Sequence, residues 1–374
     1  MKNAIHGEGI MEKKKTINIL AIVVLTVACL GCLVWFASSE SSNSNKMPDP
    51  ANIQPAAAGD YAIIDSHLHY VDFLQETDGF EALVKKMDET NVPYAVLFGM
   101  AMAKEWDEDA PQAPTYYLSD DANCYYFTAT DYIMMEDYNR QPKEIQDRFF
   151  PFICGANTND LYAADHLRRV LETYPGQIYG IGELMSRHDD LTALTYGENP
   201  EANNPSFLGI YDLAAEYDIP VLIHHNIGPS YTDDPIYMGE MEEALAHNRK
   251  TNIIWAHTGI SRRVLDSNHL ENIEQMLKKN SNLYVDISWV VWEDYISKDD
   301  STLDAWAKLI EKYPDRFMIG SDKVGHWDGY ENEILKYYPL VDRLSDETKI
   351  KVTQTNILKL IHVDPESLPL LNQK

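Results

Sequence analysis

The residues of this sequence that could do chemistry are histidines and carboxylates placed at or just past the ends of short apolar runs. Alternate residues of a strand point to the same side, so His67 and His69 would face one metal ion. Buried imidazoles and carboxylates normally need partners, so a converging set of them indicates one shared site. The set comprises His67, His69, Glu183, His224, His257 and Asp322.

A divalent cation bound by these residues would make the site hydrolytic. Zn²⁺ lowers the pKa of a bound water from about 15.7 towards about 7, and it also polarises a scissile carbonyl. Imidazole and carboxylate ligands suit Zn²⁺ best, and Mn²⁺ or Fe²⁺ are alternatives.

The elements that must position these residues are eight short apolar runs separated by amphipathic stretches. Their continuous hydrophobicity is typical of parallel strands that are buried on both faces. The runs are 61–65, 92–98, 149–154, 178–182, 219–223, 252–256, 282–287 and 316–320. Predicted helices lie at 80–90, 161–174, 207–217, 237–248, 270–279 and 303–313. This alternation predicts an α/β fold, a (β/α)₈ TIM barrel over 60–365, with its chemistry at the carboxyl ends of the strands.

One connection of this barrel, 100–148 after the second strand, is unusually long and rich in aromatic residues. It could be a self-packed subdomain or a lid over the barrel mouth, because loops that follow strands line the active face. Both interpretations stay open at this stage, and both could hold together.

Composition and charge narrow the function classes. The 374 residues carry 31 basic and 59 acidic side chains, for a net charge of −28, and 45% are hydrophobic. Such a chain can bury a large core, which excludes disorder along most of its length. The acidic balance disfavours nucleic acid as a partner and favours a small-molecule substrate. A homo-oligomer is compatible with these data, and four cysteines exclude a disulfide scaffold.

The N-terminal part differs from the rest. Residues 17–37 form an uncharged, largely apolar run that is long enough to cross about 30 Å of hydrocarbon. Three lysines precede it, so we predict a transmembrane anchor with a cytoplasmic basic tail, 1–16, and the catalytic domain on the extracytoplasmic side. A cleaved signal segment, giving a secreted protein, and a lipoprotein attached through Cys29 or Cys32 are the alternatives. Residues 38–59, rich in Ser, Asn, Pro and Ala, are predicted to be a flexible tether.

The order of the candidate ligands along the strands resembles that of the amidohydrolase superfamily. Three stretches are similar to its amidohydrolase-related branch, namely 64–69 (IDSHLH), 219–224 (IPVLIH) and 319–322 (IGSD), and 353–360 resembles its closing helix. The resemblance implies a metal-dependent TIM barrel that performs hydrolysis or, in some members, nonoxidative decarboxylation.

The resemblance also implies individual roles. His67, His69 and His224 would be metal ligands, and Asp322 would be both a ligand and the general base. His257 would either bind a second metal or polarise the substrate carbonyl. Glu183 resembles the strand-four Glu of TatD-type hydrolases, which bridges two metals, so the number of metals stays open.

Five further residues near the strand ends are candidates for substrate contacts. His225 adjoins His224, Arg187 follows the fourth strand, and the other three follow Asp322 in the last loop: Lys323, His326 and Trp327. Loops after strands line the mouth of this fold, which is the reason for naming them.

Four functions compete on this evidence. The first is hydrolysis of an amide, lactone or ester bond of a small molecule. The second is a nonoxidative decarboxylase, in which the metal sits alone and an Arg commonly grips the carboxylate. A TatD-like nuclease is disfavoured because residues after 50 carry a net charge of −29, which repels a polyanion. A non-enzymatic metal-binding scaffold is the fourth hypothesis.

Overall fold

The computed structural model describes residues 61–107, 109, 111–197 and 199–371. The predicted cytoplasmic tail, anchor and tether (1–16, 17–37 and 38–59) lie outside these residues. Within the described part of the chain, no helix combines the length and the hydropathy that a membrane span requires.

Eleven strands and twelve α-helices occur in the described residues. The strands are β1 (Leu68–His69), β2 (Ala95–Leu97), β3 (Met102–Lys104), β4 (Cys124–Tyr126), β5 (Phe149–Ile153), β6 (Gly180–Met185), β7 (Val221–His224), β8 (Ile253–Trp255), β9 (Leu283–Asp286), β10 (Phe317–Met318) and β11 (Lys323–Val324). The helices are α1 (Gly79–Glu89), α2 (Thr130–Arg140), α3 (Lys143–Gln146), α4 (Ala163–Thr173), α5 (Pro205–Tyr217), α6 (Met238–His247), α7 (His269–Lys279), α8 (Asp300–Lys312), α9 (Tyr330–Leu335), α10 (Tyr338–Val341), α11 (Asp346–Ile350) and α12 (Asn356–Leu360).

The core of the molecule is a parallel sheet of seven strands in the order β10-β9-β8-β7-β6-β5-β2. Each neighbouring pair is parallel. Almost every residue of these strands is buried, as expected for strands covered on both faces. The seven apolar runs from 92–98 onward are therefore confirmed as strands.

The sheet curls until its edges meet on the segment 64–69. On one side, the Asp65 amide donates to the Tyr94 carbonyl at 3.1 Å, and the Val96 amide donates to the Asp65 carbonyl at 2.8 Å. On the other side, the Ser66 amide donates to the Ile319 carbonyl at 2.9 Å, and β1 pairs in parallel with β11. This closure agrees with the predicted α/β barrel.

The first strand needs a correction. The run 61–65 contributes only an isolated bridge at Asp65, and the ladder residues are Leu68 and His69. The reason is that the amides of this segment reach several different neighbours. That of Ile64, for example, donates to the Thr353 carbonyl at 2.8 Å instead of continuing one ladder.

The six predicted helices are confirmed as α1 and α4 to α8, with small shifts at their ends. Helix α5 begins two residues before the predicted start because Asn204 caps it: its side chain accepts from the Phe207 amide at 3.0 Å, and Pro205 occupies the first turn. Helix α8 begins at a capping box formed by Asp299 and Thr302. These helices cover the outside of the sheet through their apolar faces.

The inserted segment 100–148 forms an antiparallel hairpin of β3 and β4, followed by α2 and α3. Asp131 ties it to the barrel, because its carboxylate accepts from the Cys154 and Gly155 amides, just after β5, at 2.8 and 2.9 Å. The two cysteines in or beside this region, Cys124 and Cys154, are free and buried. The insertion has its own packing and also reaches the barrel mouth, where Tyr117 and Leu118 approach the candidate site.

Candidate metal centre

The six predicted ligands converge at the carboxyl ends of the barrel strands. His67 and His69 share the first segment, Glu183 lies within β6, and His224 ends β7. His257 and Asp322 follow β8 and β10. None of the six side chains is more than 9% exposed. The structure therefore brings together every residue that was predicted to bind metal.

Glu183 lies at the centre of the cluster and divides it into two halves. Its Oε2 atom is 3.6 Å from His67 Nε2 and 3.3 Å from His69 Nε2. Its Oε1 atom is 3.4 Å from His224 Nδ1 and also 3.4 Å from His257 Nε2. One carboxylate thus faces two pairs of imidazoles in opposite directions.

Asp322 completes the first half. Its Oδ1 atom lies 3.3 Å from His67 Nε2 and 3.4 Å from His69 Nε2, while Oδ2 is 4.0 Å from His257 Nε2. Two of the triads that could hold an ion correspond to these halves: His67 with His69 and Asp322, and Glu183 with His224 and His257. The arrangement differs from the expected set in one respect, because His224 stands with His257 and not with His67 and His69.

The backbone turns these side chains towards the mouth. His257, two residues after β8, and Asp322, directly before β11, have positive φ values of 52° and 51°. Residues other than Gly rarely adopt this left-handed conformation, and where they do the site is often functional. Here, hydrogen bonds hold it: the Asp322 amide donates to the His67 carbonyl at 2.8 Å, and the His257 amide donates to Asp286 Oδ1 at 3.1 Å.

Asp286, at the end of β9, is a buried carboxylate that the sequence analysis did not single out. Its Oδ2 atom is 2.9 Å from His67 Nδ1, and its Oδ1 atom also accepts from the Ser288 amide at 3.0 Å. This contact makes Nδ1 of His67 the protonated nitrogen and leaves the Nε2 lone pair for the cluster. The missed signal was an acidic residue inside the apolar run 282–287, where a carboxylate needs a buried partner.

Replacing Asp286 by Asn is expected to weaken metal binding about 10- to 100-fold, the usual effect of losing a group that orients a ligand. The amide can no longer accept from His67 with a full negative charge. Competition with a chromogenic chelator measures the affinity. Asp294→Asn, at an exposed position beyond the same strand, is the control and should leave affinity unchanged. Equal affinities for the two variants would contradict the role of Asp286.

The carboxylates give the cluster a strongly negative potential. Burial by itself would lower the pKa of His67, but Glu183, Asp286 and Asp322 raise it well above the usual value. Burial would likewise raise the pKa of Asp322 and Glu183, yet the facing imidazoles, His67 first among the charges, hold both values well below their usual range. Positive charge is stabilised here, whether it is carried by protons or by a cation.

The donor set fits a divalent cation. His67 Nε2 and Glu183 Oε1 are buried and have no hydrogen-bond partner among the described residues, although buried polar atoms normally find one. His67 Nε2 faces the first half, and Glu183 Oε1 faces the second. Imidazole nitrogens with carboxylate oxygens are the ligands that zinc and similar metals use in catalytic sites.

The space beside the cluster is small and largely covered by the insertion. Its volume is about 20 Å³, roughly what one water needs, and Met100, Tyr117 and Leu118 of the inserted segment are in its wall. His188 also lines it, with its ring centroid 4.2 Å from that of His224. A larger cavity, of about 910 Å³, lies elsewhere, and none of the six cluster residues lines it.

None of the five residues predicted to contact substrate lines this cavity, and their role in substrate binding stays a prediction. The Arg187 guanidinium pairs with Glu240 at 2.6 Å, and His225 bonds to Ser186 Oγ and the Tyr237 carbonyl. The other three, which follow Asp322, also bond to protein groups. Lys323 donates to the Asp328 carbonyl, His326 pairs with Asp72 and Asp78, and Trp327 donates to the Gly79 carbonyl.

The physical reason is the alternation of side chains around each ligand. Where His224 faces the cluster, its neighbour His225 must face away, into the packing between the strand and its surroundings. The loop after Asp322 bends back through β11, so His326 and Trp327 lie against α1 and the loop before it, while Val324 of the same loop lines the cavity.

Comparison with known proteins gives a consistent result. The model of a family described as amidohydrolase matches residues 64–363. An amidohydrolase from Burkholderia multivorans, solved with bound zinc, is 14% identical, with a TM-score of 0.54, and the match covers 81% of this chain and 100% of that one. A probable 2-pyrone-4,6-dicarboxylic acid hydrolase from Acinetobacter baumannii, solved with citric acid, is 12% identical, with a TM-score of 0.52, and covers 80% and 99%. A search of the curated proteins found no match.

Proposed function

From the premise that this chain belongs to the amidohydrolase family, we propose that it is a metal-dependent hydrolase that cleaves an amide, lactone or ester bond of a small molecule. The observation that carries the proposal is Glu183, a buried carboxylate whose two oxygens face four imidazoles while Asp322 faces two of them. Burying so many ionisable groups lowers the stability of the fold, since charges are costly to remove from water. Their presence together therefore indicates a function other than stability.

We propose Zn²⁺ as the metal, held by His67, His69, Asp322 and Glu183 in the first half and by Glu183, His224 and His257 in the second. The division of the Glu183 oxygens supports two ions with Glu183 between them, and a single ion is the alternative. A divalent cation supplies Lewis acidity there, lowering the pKa of a water and polarising a carbonyl oxygen. The zinc of the Burkholderia protein supports this choice of metal.

The protein's own residues then move the proton and exclude solvent. Asp322 accepts the proton of the attacking water and gives it to the leaving group, a task suited to its Oδ2 atom, which lies away from His67 and His69. His257 would bind the second ion in the two-ion arrangement, and in the single-ion alternative it would instead polarise a substrate carbonyl. The inserted segment closes the mouth and keeps bulk water out.

The wall of the cavity favours hydrolysis over decarboxylation. None of the described residues that line it is Arg or Lys, so the wall offers no cationic side chain to bind a substrate carboxylate. Apart from the cluster residues themselves, the lining combines neutral groups such as Tyr117, His188 and Trp289 with apolar side chains. A neutral amide, lactone or ester suits this wall better than a carboxylate that must be gripped.

Metal analysis of the purified protein is the test of this function. We expect bound zinc or a similar metal, loss of hydrolysis of a panel of lactones, esters and amides on chelation, and recovery on adding Zn²⁺. Chelation should also lower Tm, because bound metal stabilises the folded state. A fully folded protein that contains no metal, and whose Tm a chelator does not change, would refute the site. Release of CO₂ from aromatic carboxylates instead of hydrolysis would select the decarboxylase.

A further inference from the structure

Tyr117 of the inserted segment lies beside the candidate metal centre, although the inserted segment contributes none of the six candidate ligands. Tyr117 lines the cavity together with Glu183 and Asp322. Its hydroxyl is 2.8 Å from the indole nitrogen of Trp289, whose ring lies 5.1 Å from that of His257. The Tyr117 hydroxyl is therefore held in the cavity wall beside Trp289, which packs against His257 of the second half.

The direction of this hydrogen bond is determined by chemistry. An indole N–H can only donate, so the Tyr117 oxygen is the acceptor. A phenol has one proton of its own, and that proton finds no acceptor among the residues the structure describes. Burial, together with the negative charge of Asp322, raises the pKa of Tyr117, so the hydroxyl keeps this proton and can act as a donor.

A buried lysine holds the loop that carries Tyr117. Lys104, at the end of β3, is only 7% exposed. Its ammonium donates to the Thr115 carbonyl at 3.1 Å, to the Tyr117 carbonyl, and to Asp120 Oδ1 at 2.6 Å. The three acceptors lie before, at and after Tyr117 in the chain. The bonds therefore fix the backbone that carries Tyr117 and so position its ring in the cavity wall.

We infer that Tyr117 is a catalytic residue whose hydroxyl donates a hydrogen bond to the substrate oxygen that becomes more negative as the bond is cleaved, and that Lys104 is the positioning residue for it. This inference rests on the proposed hydrolytic function, since it needs a substrate oxygen in the cavity. Trp289 contributes by occupying the Tyr117 acceptor site, which leaves the tyrosine proton for the substrate. A donor placed in advance at such an oxygen stabilises the developing charge without reorganisation.

The test uses Tyr117→Phe, which removes the hydroxyl and keeps the ring. The probe is formate, the simplest carboxylate that ester or amide hydrolysis could release, titrated into the metal-loaded protein by calorimetry. We expect about tenfold weaker binding in Tyr117→Phe, as for loss of one hydrogen bond to a charged group. Tyr126→Phe is the matched control, because Tyr126 is a partly buried tyrosine of the same insertion that bonds to Thr158 outside the cavity. It should bind formate like the wild type.

The outcomes separate this inference from the proposed function. Equal affinity of Tyr117→Phe and wild type, or no formate binding by the wild type, would overturn the role of Tyr117. Absence of hydrolysis of para-nitrophenyl acetate and of the amide and lactone panel, with formate binding still weakened by Tyr117→Phe, would instead count against the hydrolase alone. Where the wild type does hydrolyse the ester, kcat should fall in Tyr117→Phe and stay unchanged in Tyr126→Phe.

Lys104 is tested by a double-mutant cycle with the same formate titration. Lys104→Met should weaken binding in the wild-type background and have no further effect in Tyr117→Phe, because a residue that acts through Tyr117 loses its influence with it. Lys104→Arg retains the charge and should restore part of the affinity. An equal loss in both backgrounds would show that Lys104 has only a general structural role and would refute its positioning of Tyr117.

Discussion

Replacing Asp322 by Asn should lower kcat by about 10²- to 10⁴-fold, the range that loss of a general base or acid produces. The amide has nearly the same shape, but it cannot accept the proton of the attacking water. It also presents a neutral group to His67 and His69, which Asp322 now faces at 3.3 and 3.4 Å. The measurement is kcat on the best substrate of the panel, with circular dichroism to show that the fold is retained.

The matched control for this variant is Asp328→Asn. Asp328 belongs to the same loop, but its side chain is exposed and only its carbonyl is used, by Lys323. Its kcat should equal that of the wild type. If Asp322→Asn turns over substrate at a near-normal rate, Asp322 is not the base, and the mechanism proposed above is wrong.

Replacing Glu183 by Gln should reduce both the metal content and the activity. We expect activity to fall by about 100-fold or more, because even loss of a group that only orients a metal ligand lowers activity by about 10- to 100-fold. Gln has one carbonyl oxygen and one NH₂ group, so it can serve only one of the two pairs of imidazoles that Glu183 faces. The NH₂ group must point at the other pair. We therefore expect one half of the centre to lose its metal first.

Metal stoichiometry by elemental analysis, measured beside kcat, checks this result. Glu216→Gln is the control, since Glu216 pairs with Arg168 on the surface, where ion pairs contribute little. If Glu183→Gln kept full metal content and activity, the central position of this carboxylate would have no functional meaning. A drop from two ions to one would support the bridging arrangement, and a drop from one ion to none would favour the single-ion alternative.

Much of the barrel could be predicted because its signals are local. Each run such as 219–223 is apolar without alternation, and the polar residue that follows it stands at the carboxyl end of a strand. That reasoning placed His224, His257 and Asp322 correctly with no knowledge of any contact. It was less reliable at the first run, because a segment forms a strand only when its backbone bonds regularly to one neighbouring strand. The backbone of 61–65 bonds to several different segments instead.

The residues that line the cavity could not be predicted in the same way. Proximity in sequence suggested Arg187 and His225, yet Arg187 is paired with Glu240, and His225 bonds to Ser186 and the Tyr237 carbonyl. The residues that do line the cavity include Tyr117, which lies some 65 residues before Glu183 and belongs to a loop without a regular pattern.

By itself, the sequence predicted the barrel and the convergence of the six candidate ligands, because strand burial and residue type depend on short stretches of chain. Only the tertiary structure decided how the ligands divide around Glu183, that Asp286 orients His67, and that Tyr117 covers the centre. Those facts depend on distances of about 3 to 4 Å between side chains from different strands and loops. Such distances follow from how the sheet curls and how the insertion packs on it, and no local pattern encodes them.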